Sequence, residues 1–157
     1  MKVLATLLII VCFATFSCKK DKYTTEPQIT IESISPGEVR QGSNGSFTVM
    51  TLQAKFTDDE GDLDSVLFVT KYYDADAVTF TDTTFRYSLE GLKLPKKTRQ
   101  GDITVQFEYN TNNSGGSYIT YPGVIKDTTA TLGLILIDKA AHRSNYGESS
   151  KIRLIAP

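Results

Sequence analysis

Apolar and polar residues alternate with a period of two through most of residues 28–157, and no convincing stretch shows helical spacing. Ile29 and Ile31 alternate with Gln28, Thr30 and Glu32, predicting a first strand that ends before the turn Ser35-Pro36-Gly37. After a second turn signal at residues 41–46 (QGSNGS), Phe47 and Val49 fall on odd positions, while Leu52, Ala54 and Phe56 fall on even ones. That change of phase predicts a β-bulge or bend near Met50-Thr51. Residues 66–69 (VLFV) are apolar on both faces, which suits a central strand, and Tyr72 and Tyr73 end it. Phe80, then Phe85, Tyr87 and Leu89, predict a shorter pair of strands before Pro95 stops the ladder. Ile103, Val105, Phe107 and Tyr109 alternate with Asp102, Thr104, Gln106 and Glu108, the clearest strand with one buried face. The Asn/Gly/Ser segment 110–117 reads as a loop or hairpin tip, with residues 118–121 pairing back. Residues 132–137 form another core strand and residues 152–154 close the series.

Seven to nine short strands in about 130 residues predict one all-β domain, a single immunoglobulin-like antiparallel β-sandwich. Phe47, Phe56, Phe68, Phe80, Phe85 and Phe107 are its expected core bulk, without the Trp and cysteine pair of antibody-type domains. A closed up-and-down barrel shares the same strand count.

The first 27 residues follow a different pattern. Residues 1–17 (MKVLATLLIIVCFATFS) hold one charge, Lys2, and an apolar run of about 14 residues, which suits a secretory signal and falls short of a membrane-spanning helix. The run stops at Ser17-Cys18-Lys19-Lys20-Asp21-Lys22. Residues 18–27 are polar and end in a proline, as a tether between anchor and domain does. The expected division is therefore a signal peptide at 1–17, a lipid-anchored tether at 18–27 and a β-sandwich at 28–157. Removing Lys2 takes the charge from 17 basic against 18 acidic residues to 16 against 18, a net of −2. That balance gives no basic face for nucleic acid. With Cys12 in the signal and Cys18 at the break, the folded domain has no cysteine, hence no disulfide and no thiol nucleophile.

The segment Thr15-Phe16-Ser17-Cys18 resembles the lipobox of bacterial lipoprotein precursors, and Ser-Cys-Lys-Lys-Asp after an apolar run resembles the relaxed lipoboxes of Bacteroidetes lipoproteins. Thr15 and Phe16 depart from the usual leucine and small residue. The resemblance implies acylation at Cys18 and a membrane partner reached through that anchor. It implies the cell envelope, at the outer membrane, with its periplasmic and surface faces both open. Several acyl chains hold a protein at a bilayer where a single chain binds only marginally.

Most distinctive among the chemistry-bearing residues is Phe56-Thr57-Asp58-Asp59-Glu60-Gly61-Asp62-Leu63-Asp64. Asp58, Asp59, Glu60, Asp62 and Asp64 are candidate oxygen ligands for calcium, a hard cation that takes six to eight of them, although the spacing is not that of an EF-hand. An acidic solvated turn is the alternative. The stretch resembles a Phe-x-Asp-x-(Asp/Glu)-Gly-Asp-Leu signature in immunoglobulin- or cadherin-like domains of Bacteroidetes lipoproteins. Residues 136–145 (LIDKAAHRSN) resemble the Asp-x-Ala-Gly-Asn-x-Ser turn near the end of such domains. Here Ala141 stands in place of the family's Gly and His142 in place of its Asn, which puts the left-handed turn in question.

Catalytic sets are sparse. His142 is the single imidazole, no Gly-x-Ser-x-Gly elbow accompanies Ser144 and Asp138, and one His without a free thiol disfavours zinc catalysis. Paired carboxylates need a cleft that a small sandwich seldom encloses. The expected function is thus a non-catalytic binding or assembly module of the envelope, with a glycan or envelope protein as partner and no cofactor apart from calcium. Tyr109, Tyr118 and Tyr121 are its candidate aromatic patch. A calcium-stabilised adhesion-type module is the alternative reading, and a small envelope hydrolase the remote one.

Overall fold

A computed structural model describes residues 24–40, 48–74, 77–82, 85–90, 95, 97–109, 119–121 and 124–156, with the backbone alone for 119–121. Cys18, Phe47 and Tyr118 lie outside the described residues, as does the side chain of Tyr121. Eleven strands run through the described residues: β1 Gln28–Ser35, β2 Glu38–Arg40, β3 Thr48–Thr57, β4 Leu63–Asp74, β5 Ala77–Asp82, β6 Arg86–Ser88, β7 Gln100–Tyr109, β8 Ile119–Tyr121, β9 Thr128–Asp138, β10 Gly147–Glu148 and β11 Ile152–Ile155.

They form the expected all-β sandwich, two sheets that do not close into a barrel. The smaller sheet has the order β1-β3-β7-β8. The larger has the order β2-β11-β9-β4-β5, with β10 added on β9 and β6 on β4. At its centre β4 and β9 pair antiparallel from Leu63↔Asp138 to Tyr73↔Thr129. Their composition explains the position. β9 is buried on both faces through residues 130–134, and Val66, Phe68 and Val69 of β4 are buried too, so neither strand suits an edge.

Between the sheets, Met50, Leu52, Ala54 and Phe56 of β3 and Val105, Phe107 and Tyr109 of β7 meet Val66 and Phe68 of β4 and Leu132, Leu134 and Leu136 of β9. Each large apolar side chain buried there contributes about 1.5–3 kcal/mol. Phe107 packs edge-on against Phe68 with ring centroids 5.6 Å apart.

Three expectations are corrected. β3 pairs with β7 without interruption from Thr48↔Tyr109 to Thr57↔Gln100, and the bulge lies across the sheet in β1, between Ile31 and Ser33. Val49 is only half-buried, so no phase change within β3 is needed. β8 runs parallel to β7, through Phe107↔Ile119 and Tyr109↔Tyr121, and does not fold back as a hairpin. Finally, Phe80 and Phe85 are 60% and 47% exposed instead of forming core. Both lie beside the outer edge of β4, where Phe80 pairs with Tyr72 and the Phe85 carbonyl accepts from the Phe68 amide.

On the outer face of β9 a polar cluster holds β10 in place. Glu148 accepts hydrogen bonds from Thr131 Oγ1 at 2.6 Å, Lys71 Nζ at 3.0 Å and Tyr73 OH at 3.1 Å. Tyr146 lies so close over Gly133 that a Cβ there would come within 2.3 Å of its ring. Burial by itself would raise the Glu148 pKa, but the three hydrogen bonds outweigh it and hold the carboxyl below its ordinary value. A depressed folded pKa stabilises the fold above the ordinary glutamate range and loses that contribution as pH falls through the lowered value. Glu148→Gln is therefore expected to cost about 1 kcal/mol at neutral pH, the scale of a half-exposed ion pair with its hydrogen bonds. The urea midpoints of variant and parent should converge in strong acid; a gap independent of pH would refute the ionic role of Glu148.

Candidate functional site

The register that sets Leu63 opposite Asp138 brings two polar turns together at one end of the sandwich: residues 58–62 between β3 and β4, and residues 139–142 after β9. In the first, Asp58 is completely buried. Its Oδ1 accepts from the Glu60 amide at 3.3 Å and its Oδ2 from the Asp62 amide at 3.0 Å, so the side chain organises the turn that follows it. Burial raises the Asp58 pKa above the ordinary carboxyl range; the two amide bonds oppose this, and the charges of Asp62 and Asp138 add to it. Gly61 has φ 65°, and a Cβ there would come within 2.5 Å of the Lys97 carbonyl carbon. Only glycine satisfies both demands.

The five acidic side chains proposed from sequence do not converge on one point. Asp59 pairs with Arg99 at 3.6 Å and Asp64 with Arg86 at 3.1 Å, both on the exposed surface. Asp58 serves the turn. Asp62 keeps a buried Oδ1 without a hydrogen-bond partner, and Glu60 reaches toward the second turn.

That second turn is built on Asp138, whose side chain is 0% exposed against 40% for His142. Asp138 Oδ1 accepts from the His142 amide at 2.8 Å, and Oδ2 lies 2.8 Å from His142 Nδ1. The Lys139 amide donates to the Asp62 carbonyl at 3.2 Å and joins the two turns. The His142 pKa is raised, first by the Asp138 hydrogen bond, then by the Asp138 charge, with smaller additions from Glu60 and Glu26. Ser144 does not complete a catalytic set: its Oγ accepts from the Leu136 amide at 2.9 Å and donates to the Asn145 carbonyl at 2.6 Å. Asn145 grips Ile29 through two 2.8 Å bonds, accepting from its amide and donating to its carbonyl.

Chain entry occurs at the same end. The Thr24 carbonyl accepts from the Asp59 amide at 3.2 Å, and Pro27 is buried, so the last residues of the expected tether are docked on the sandwich. Beside the acidic turn opens a groove of about 640 Å³ whose lining includes Glu60, Asp62, Asp64, Lys97 and Lys139.

The aromatic patch expected from sequence is not where the exposed aromatics are. Tyr109 is fully buried, its hydroxyl 3.4 Å from the Ile155 carbonyl, because the alternation that defines β7 places it on the same inward face as Val105 and Phe107. Tyr118 and the Tyr121 side chain fall outside the described residues. Apart from Ile125, the exposed large apolar side chains among the described residues lie beside the outer edge of β4: Val78 and Phe80 from β5, Phe85, and Tyr87 from β6 at 44% exposure. Phe80 tilts against Tyr72 at 5.9 Å and Phe85 against Phe68 at 5.4 Å, so each ring is held at one side and open at the other. Sequence reasoning missed this row because strand alternation names a face without showing how far the opposite sheet extends.

No protein-family model matches the chain, and no curated protein is similar to it. Among solved structures it is similar to the Pseudomonas fluorescens alkylpurine DNA glycosylase AlkC, bound to DNA containing an abasic site analog, with 12% identity and a TM-score of 0.40. That similarity covers 80% of this chain and 30% of the glycosylase, so the chain spans under a third of that protein's length. It is also similar to an ApaA protein from Bordetella pertussis, with 11% identity, a TM-score of 0.34, and coverage of 85% of this chain and 98% of the other. Likenesses this distant assign no activity.

The second turn holds a left-handed residue that is not glycine, Ala141 at φ 68°. An L-residue there costs roughly 1–2 kcal/mol, partly offset for Gly by its greater unfolded-state entropy. Ala141→Gly is therefore expected to stabilise the protein by about 0.5–1 kcal/mol in chemical denaturation. A loss of stability would show that the Ala141 methyl makes packing contacts that outweigh the backbone strain.

Proposed function

We propose that this protein is an exported lipoprotein, acylated at Cys18 and held at the outer membrane, whose β-sandwich acts as a non-catalytic binding or assembly module. The observation that carries the binding role is the row of Val78, Phe80, Phe85 and Tyr87, four exposed apolar side chains along one sheet edge. Contiguous exposed aromatics of this kind offer flat faces to a sugar ring or to a partner's apolar surface, at small entropic cost because their rings are already held. Ser144 supports the non-catalytic part of the reading, since its hydroxyl is committed to the turn beside the one histidine.

The anchor also sets the module's orientation. Thr24 is bonded into the sandwich, so residues 18–23, six counting the acylated cysteine itself, separate the anchor from the folded body. Fully extended, six residues reach about 20 Å. The end carrying the acidic turns is thereby held near the bilayer, and the aromatic row runs away from it along β4.

Two measurements test this reading. Cys18→Ser is expected to abolish incorporation of labelled palmitate and to move the chain from the membrane to the soluble fraction; an unchanged membrane fraction would refute the anchor. The double variant Phe80→Ser/Tyr87→Ser should lose binding to a panel of envelope glycans and outer-membrane proteins, while its stability changes by no more than about 1 kcal/mol, as surface substitutions do. Binding at the parental level would remove the aromatic row as the contact surface.

A further inference from the structure

We propose that Glu60, Asp138 and His142 form a binding site for a divalent transition-metal ion of the zinc class. Each residue places one donor atom within 4.8 Å of the other two. His142 Nδ1 and Asp138 Oδ2 are held together by a 2.8 Å hydrogen bond, whose proton a bound ion would displace as the two atoms part slightly. Bonds to such an ion measure about 2.0–2.2 Å, so its ligand atoms sit roughly 3–4 Å from one another, and a modest movement of Glu60 closes the set. Glu60 is exposed and sits in a turn, so it can make that movement.

The donor set selects the metal class. An imidazole nitrogen with two carboxylate oxygens suits zinc and its transition-metal neighbours, whereas calcium requires six or more oxygens. Two carboxylates and a neutral imidazole balance the charge of a dication and leave a coordination position for water. Asp138 is oriented in advance, because its second oxygen is fixed by the His142 amide at 2.8 Å.

A separate feature points the same way. Asp62, whose carbonyl is bonded to the Lys139 amide between the two turns, keeps an Oδ1 that is buried without a hydrogen-bond partner. A buried anionic oxygen without a donor is costly, and a cation or its bound water at the junction of the turns would relieve that cost. Glu26, near enough to act on His142, adds to the negative potential. A bound ion would cross-link the β3–β4 turn to the turn after β9 where the chain enters the sandwich.

The test uses the full chain, purified without a metal-binding tag and stripped with chelator, then titrated with zinc chloride or calcium chloride under calorimetry and thermal unfolding. One equivalent of zinc should bind and raise the unfolding midpoint, and calcium should need at least about tenfold higher concentration for the same shift. Glu60→Gln and His142→Ala should each weaken zinc binding by about tenfold or more. His142→Ala also removes the side-chain bond to Asp138 Oδ2, so if it fails to fold, the exposed Glu60→Gln decides the question. The proposal is overturned by no zinc response, by an equal response to calcium, or by zinc affinity that survives the substitutions.

Discussion

The antiparallel ladder between β4 and β9 is the constraint on which the rest of the structure depends. These are the two longest strands, and every other strand of the larger sheet attaches to them directly or through β11. β5 and β6 follow one another along the free side of β4, while β10 and β11 do the same along β9. The ladder's register has little freedom. A slip of one residue would turn Val66 and Phe68 away from the opposite sheet and break the bond from Arg86 Nε to the buried Ser65 hydroxyl at 2.8 Å. The ladder ends in a bulge between Leu63 and Ser65, beyond which Leu63 meets Asp138, and the polar turns of β3–β4 and of β9 come together at that pair.

Attachment of the smaller sheet relies on different chemistry at its two ends. No disulfide ties the sheets, since the two cysteines, at positions 12 and 18, precede the sandwich. At the acidic end Asn145 grips both backbone groups of Ile29, imitating a strand neighbour where the chain has left regular pairing. The Gly147 backbone then passes Ile29 and Ile31 so closely that a Cβ would meet them at 3.1–3.2 Å. At the other end Tyr109 is enclosed by the core, and its hydroxyl lies near the Ile155 carbonyl. An amide side chain and a buried phenol thus flank an apolar middle, each offering its polar atoms a partner as burial requires.

What the sequence revealed follows from how local each signal is. Alternation in residues 28–35 and 100–109 predicts β1 and β7 because inward and outward positions are decided within each strand. The same alternation puts Tyr109 on the buried face. The expectation of an exposed tyrosine there rested on the neighbouring Asn/Gly/Ser segment, and periodicity was the stronger guide. Phe80 and Phe85 show the opposite limit: both occupy strand-like positions, yet their burial depends on how far a distant sheet reaches. The parallel direction of β8 is non-local in the same way, for a turn-rich segment after a strand predicts a hairpin only when the chain returns directly. At the candidate site, the Asp138–His142 pair is visible as a four-residue spacing, and Asp58 and Gly61 as a turn. The nearness of Glu60 to that pair comes from the pairing of β4 with β9, across more than seventy residues of sequence.

The acidic end concentrates features that oppose stability. Gly61, Lys97 and Ala141 all have positive φ there, Asp58 and Asp138 are carboxylates without solvent exposure, and Asp62 holds an unpartnered oxygen. Each strained non-glycine backbone or underpaired buried polar group costs on the order of 1–3 kcal/mol, against a total stability of roughly 5–15 kcal/mol for a domain. Such a cluster persists only because its surroundings over-determine it: the ladder fixes the turns, Asp58 and Asp138 supply hydrogen bonds within them, and the Lys139 amide joins one to the other. The aromatic row carries an analogous cost in exposed apolar surface, along a sheet edge that short strands leave open. Arg86 lies between the two, bonded to Asp64 and Ser65 at the acidic end of β4 and flanked in sequence by Phe85 and Tyr87. Among the described residues, the exposed aromatics and the acidic turns thus both flank β4, with Arg86 where they meet.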